Sequence, residues 1–169
     1  LWIDIPQVID SSPLYLTGPR FSLTATSGLD GAVSTWNFDL LMTDFSNVTL
    51  VGRGSDILVS PDSSNRLPIT VRNSGNIENL MSIDLQIVDE NNQPVSGIPV
   101  ADRIEYNGWI VAIFGGFEDE LLFPGDTRTF DIGFQSPNQN YGELNLRVKI
   151  THSGAASRAI YVDICILYT

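Results

Sequence analysis

From Leu144 to Ile150 the chain alternates strictly: Leu144, Leu146, Val148 and Ile150 are apolar, and Asn145, Arg147 and Lys149 between them are polar. A period of two sends successive side chains to opposite faces. The segment therefore fits a strand with one buried face and cannot gather its apolar residues into a helical stripe. The preceding stretch behaves alike. Phe130, Ile132 and Phe134 share a parity with Arg128, while Thr127, Thr129 and Asp131 hold the other. Before it, Pro124-Gly125 has the chemistry of a type II turn: proline presets φ at the first central position and glycine accepts φ > 0 at the second. Gln135 to Gly142, rich in Ser, Pro, Asn and Gly, reads as a loop. Residues 121–150 thus predict strand, tight turn, strand, loop, strand.

The rest of the chain speaks the same language, and no stretch shows convincing helical periodicity. Trp36, Phe38, Leu40 and Met42 alternate, as do Leu67, Ile69 and Val71, then Met81, Ile83, Leu85 and Ile87. Val95 to Val100, Ile104 to Phe114 and Ala159 to Leu167 read as further strands. The last is so apolar on both parities that it should lie centrally or be covered on both faces. Thr17-Gly18-Pro19, Asn73-Ser74-Gly75 and Asp89 to Pro94 punctuate them. Short strands with turn signals at such spacing indicate an all-β sandwich or barrel. Gly52-Arg53-Gly54-Ser55 reads as a join. It divides an N-terminal β segment, residues 1–54 (extra strands or a partial domain), from a sandwich over residues 55–169.

Leu67 to Asn76, Asn107 to Val111, Leu122 to Asp126 leading through Phe130-Asp131-Ile132 to Ser136-Pro137, and Gly142 to Ile150 follow one order. In that order the chain, from about Asp56 to Thr169, resembles the immunoglobulin-like modules of the CARDB and NEW3 type found in prokaryotic surface and secreted proteins. The resemblance implies an immunoglobulin-like antiparallel sandwich with Trp109 as its buried aromatic, and a secreted or cell-surface setting. It departs from the pattern at Pro61-Asp62, where Pro-Gly is usual, and in a longer region from Ile77 to Arg103 that leaves room for an extra hairpin. It implies no activity, because function is grafted onto sandwiches case by case.

Composition narrows the function classes. Twenty acidic against nine basic side chains give a net charge of -11 over 169 residues, a field that repels nucleic acid and anionic membranes. No apolar run approaches the roughly 20 residues of a membrane span. One cysteine, Cys165, excludes an intramolecular disulfide, and with a single histidine, His152, it cannot complete a zinc site. The chain opens at Leu1 without a signal-like segment, which fits a processed protein or a fragment. Asn47-Val48-Thr49 is the one N-glycosylation sequon, with Asn47 as the candidate acceptor.

Candidate chemistry is sparse. A nucleophilic site would have to join His152 to Cys165 or a serine, with an orienting group; His152 reads instead as a loop residue before Ser153-Gly154 and Cys165 as a packed thiol. Glu118-Asp119-Glu120 reads as solvated acids on a turn rather than a glycosidase pair. Asp89, Asn91 and Gln93 place oxygens at alternate positions, as a Ca²⁺ loop favours, but without the glycine and distal glutamate of an EF-hand; hairpin tips are also Asp- and Asn-rich for turn reasons. No other cofactor is indicated. Trp2, Trp36, Tyr15, Tyr106 and Tyr141 are the aromatics a sugar platform could use, and Trp36 and Trp109 fit core parity. Phe130, Ile132, Leu146 and Val148 complete the expected core. Lys149 faces outward, which disfavours an internal isopeptide crosslink.

Residues 1–9 are apolar and strand-competent, with Leu1, Ile3 and Ile5 on one parity beside Trp2, so they fit a strand paired inside their own domain or, alternatively, one added to a neighbouring subunit. The expectation is a non-enzymatic, extracellular structural or adhesive protein, a subunit of a filament or surface layer whose partners are other copies or neighbouring surface domains. The alternative is a spacer or carbohydrate-binding module of a secreted hydrolase.

Overall fold

The computed structural model describes residues 15–53, 57–115, 120–139, 142–153 and 159–168. Twelve strands form among them: β1 (Arg20–Thr26), β2 (Val33–Asp39), β3 (Val48–Arg53), β4 (Ile57–Val59), β5 (Ser64–Asn73), β6 (Asn79–Ile87), β7 (Arg103–Tyr106), β8 (Trp109–Phe114), β9 (Glu120–Leu122), β10 (Thr127–Gln135), β11 (Leu144–His152) and β12 (Ile160–Tyr168). Two five-stranded sheets, in the orders β3-β5-β10-β8-β7 and β4-β12-β11-β6-β9, enclose one core, and β1 and β2 make a separate two-stranded sheet. The fold is an all-β, immunoglobulin-like sandwich. All pairings are antiparallel except β12 with β4.

Alternation decides which residues face inward. Leu67, Ile69 and Val71 from β5, Phe130, Ile132 and Phe134 from β10, and Trp109 and Val111 from β8 meet Met81 to Ile87, Leu144 to Ile150 and Val162 to Ile166 of the second sheet. Trp109 is only 1% exposed, and Phe130, Ile132, Leu146 and Val148 are buried with it. The turn at residues 123–126 has the expected form: Gly125 takes φ 87° and the Asp126 N–H donates to the Phe123 carbonyl at 3.0 Å.

Several elements differ from the sequence reading. Ile104 to Phe114 is not one strand but the β7–β8 hairpin, reversed at Asn107 (φ 48°) and Gly108 (φ 78°), the pair of positive φ values a type I′ turn requires. Residues 95–100 form no strand. Pro94, Gly97 with φ 84°, and Pro99 break any ladder, and only the bridges Val88 to Pro94 and Leu85 to Ala101 remain. β12 is central, paired on both edges by β4 and β11, but its outward residues Tyr161 and Leu167 are exposed rather than covered. His152 is the last inward residue of β11, buried, and not in a loop.

The expected division at residue 54 also meets a structural fact. β3 precedes it, yet β3 pairs with β5, Val48 opposite Asn73 and Leu50 opposite Val71, before a bulge. The sandwich thus draws a strand from the first segment, while β1 and β2 stand apart from it.

Candidate functional site

At one end of the sandwich the apolar core gives way to amides. The inward parity of β5 ends on Asn73, that of β6 starts on Asn79, and that of β11 ends on His152. The Asn73 amide nitrogen donates to the carbonyls of Ile77 (2.8 Å) and Leu122 (2.9 Å), and its oxygen accepts from the Gly75 N–H (3.0 Å) and from Asn79 Nδ2 (3.2 Å). Ser46, on the connection from β2 to β3, donates its hydroxyl proton to Asn79 Oδ1. With that single proton committed, the 3.0 Å contact between Ser46 Oγ and His152 Nδ1 must be donated by the ring. His152 Nδ1 also lies 3.2 Å from Asn79 Oδ1. Ser46 and Asn79 thus both meet the ring at Nδ1, which ties β6, β11 and the β2–β3 connection to one another. The arrangement is a clamp.

The clamp holds the base of an arm. Asn76 grips the same connection: Phe45 N–H donates to its Oδ1 (2.6 Å), and its Nδ2 donates to the Thr43 carbonyl (2.8 Å). Gly75 is required here, since a Cβ would stand 2.3 Å from the Phe45 carbonyl oxygen. From this base, backbone bonds from Leu16 to Met42, Met42 to Thr17 and Leu40 to Pro19 carry a ladder outward into β1 and β2. At the tip Ser27 and Asp30 close the turn. The Ser27 hydroxyl, then the Ala32 N–H, hold the Asp30 carboxyl below its ordinary range.

The arm has two faces. Register pairs Phe21 with Phe38, Leu23 with Trp36 and Ala25 with Ser34 on one side; Arg20 with Asp39, Ser22 with Asn37 and Thr24 with Thr35 lie on the other. The first is apolar, with the Phe21 and Phe38 rings stacked at 5.4 Å. The second carries hydroxyls and the Arg20–Asp39 ion pair. Toward the base Leu40 and Met42 are half-buried; outward, Phe38 is 39%, Trp36 53% and Leu23 55% exposed. Trp36, expected in the core, is therefore on an open face. Its parity was legible; what should cover that parity was not.

A groove of about 630 Å³ lies on the outer face of the first sheet. In one cross-strand row Arg66, Gly133, Ala112 and Arg103 are neighbours, so two small residues sit between two arginines. The Phe114 ring lies over Gly133, where a Cβ would come within 2.2 Å of it, and the Arg66 guanidinium stacks 4.8 Å from the ring centre. Arg66 also approaches Asp131 (3.8 Å), and Arg103 pairs with Glu105 (2.8 Å).

The remaining candidates fall as follows. Asp89 Oδ1 accepts from the backbone N–H groups of Asn91 and Gln93, both at 2.8 Å, which is turn chemistry. Among the described residues no three His, Cys, Asp or Glu side chains group as a metal site would need. Asn47 Nδ2 donates to Ser74 Oγ at 2.8 Å, so the sequon's amide is engaged in the clamp region. Glu120 pairs with Arg128 at 2.7 Å. Cys165 lies near Glu143, on a different sheet face from the buried His152. Leu1, Trp2, Ile3 and Ile5, together with Glu118, Asp119 and Tyr141, lie outside the described residues.

No family model matches the sequence, and no curated protein matches it. Solved structures do. A family 123 glycoside hydrolase from Clostridium perfringens aligns with a TM-score of 0.51 at 8% identity, covering 72% of this chain and 27% of that one. The secreted serine protease VesC from Vibrio cholerae aligns at 0.48 and 12% identity, over 72% and 23%. Domains 4 and 5 of the S-layer protein SbsC align at 0.43 and 7% identity, over 80% and 59%. The chain thus spans about a quarter of the first two, and the likeness is one of fold.

Proposed function

We propose that the protein is a non-enzymatic, extracellular structural or adhesive β-sandwich, a subunit of a cell-surface filament or layer held by strand and sheet contacts between copies. The observation that carries this reading is the arm: an element the sandwich does not need for its core, anchored by a dedicated polar clamp, and projecting with an apolar face. Asn76, Asn79 and His152 hydrogen-bond the connection that carries it. The CARDB and NEW3 type of module, with its surface setting, belongs to the same reading, as does a second contact through residues 1–9.

The groove between Arg66 and Arg103 favours the alternative, an accessory module that binds a sugar and works as a monomer. Size-exclusion chromatography at high protein concentration with negative-stain microscopy separates the two. Concentration-dependent assemblies are expected, and a strictly monomeric chain overturns the structural reading.

A further inference from the structure

Register sets the outward side chains of the first sheet in rows. One row runs Arg66, Gly133, Ala112 and Arg103, across β5, β10, β8 and β7. Gly133 has no side chain and Ala112 only a methyl, whereas the flanking rows carry Asp131 and Phe114 on one side, Gln135 and Ile110 on the other. A low row between taller ones is a trough. It crosses three strand spacings, about 14 Å at roughly 4.8 Å each, with an arginine at each end. This is the groove of about 630 Å³, a volume in the range of small-molecule sites.

Three features say what the trough can read. First, β10 and β8 each have a strand on both sides, so the backbone of the floor is spent in ladders and recognition falls to side chains. A peptide added as a strand needs an open edge, which the trough does not offer. Second, the polar side chains in reach are Ser64, Gln135 and the two arginines, a set suited to hydroxyls and carboxylates. Third, the charge is local. The chain carries twenty acids against nine basic residues, yet among the described residues that line the groove two are arginines and none is an acid.

Each arginine has an acidic neighbour and is not used up by it. Arg66 stands 3.8 Å from Asp131, too far for a hydrogen bond. Arg103 gives Glu105 one bond, at 2.8 Å, from a group with about five N–H donors. The Arg66 guanidinium rests 4.8 Å over the centre of the Phe114 ring, which holds its plane in place before any ligand arrives. We propose that the trough binds an acidic saccharide, a short run of sugar rings lying over Gly133 and Ala112, with carboxylates paired to Arg66 and Arg103. The proposal rests on the sugar-binding reading of this groove and adds the charge of its ligand. It holds whether or not copies of the chain assemble.

The test titrates the full chain with trigalacturonic acid, to about 10 mM so that weak binding is reached, by calorimetry and by backbone amide NMR shifts. Saturable binding is expected, with the largest shifts at Gly133 and Ala112. Arg66→Gln and Arg103→Gln should each weaken it about tenfold or more, the scale of one hydrogen bond to a charged group. Both side chains are more than half exposed, 63% and 59%, so melting should stay unaltered. Arg20→Gln, which removes the same charge from the arm, should leave binding unchanged. The methyl ester of the trisaccharide keeps the rings without the carboxylate charge, and it should bind about tenfold more weakly. Equal binding of acid and ester overturns the inference and leaves the sugar reading standing. Equal binding of triglutamate overturns it in favour of any extended polycarboxylate. Shifts that fall away from the trough overturn the site, and no binding of any of the three sinks both the inference and the sugar reading.

Discussion

Asn73 uses every hydrogen-bonding atom of its side chain amide, and its backbone is engaged as well, with its N–H on the Asp126 carbonyl and its C=O receiving Gly125 N–H. The cost of removing such a residue is set by the partners left behind. In Asn73→Leu the Leu122 carbonyl loses the amide's N–H in a buried place, while the Ile77 carbonyl keeps Asn79 Nδ2 at 3.3 Å and the Gly75 N–H keeps the Asn47 carbonyl at 3.1 Å. A stranded buried group costs about 1–3 kcal/mol where water cannot return, so a loss in that range is expected in urea unfolding. A loss under about 1 kcal/mol would mean that water enters the clamp. Asn73 also marks the limit of legibility at this scale. Its inward parity follows directly from Leu67, Ile69 and Val71, and so does that of His152 from Leu144 to Ile150. A polar residue on an inward parity does not say which distant groups satisfy it, and the Ser153-Gly154 punctuation pulled His152 into a loop.

Elements were legible where local chemistry dictates them. The Pro124-Gly125 turn needs no tertiary help. Gly125 holds φ 87° with open space around its missing Cβ, so Gly125→Ala isolates the backbone term. That substitution should destabilise the sandwich by about 1–2 kcal/mol, the cost of a left-handed backbone for an L-residue, read as a shift in the denaturant midpoint without a change in slope. Asn107-Gly108 carries an equally strong hairpin signal, yet the continuous apolar run around it concealed the reversal. Val95 to Val100 failed the other way: its β-branched composition suggested a strand that Gly97 and Pro99 prevent. The amphipathic hairpin of β1 and β2 follows from alternation in both strands, but that its apolar side stays open is a fact of tertiary packing, and no local pattern announces it.

The whole molecule adds two constraints that no single element shows. Its charge of -11 makes any contact between copies sensitive to screening. The Debye length falls from about 30 Å at 0.01 M salt to about 8 Å at 0.15 M. Self-association should therefore strengthen across that range, as light scattering at fixed protein concentration would show; weakening with salt would mean that the contact is made by opposite charges instead of the apolar arm. The second constraint is topological. β4 finds its parallel partner in β12, Ile57 beside Ile166, so an early strand waits for one far along the chain. Until then β11 has one unpaired edge and the second sheet is incomplete. A pairing between such distant strands must bear its loop-closure cost before any contact rewards it, which places folding of the second sheet in the slow regime of distant β pairing.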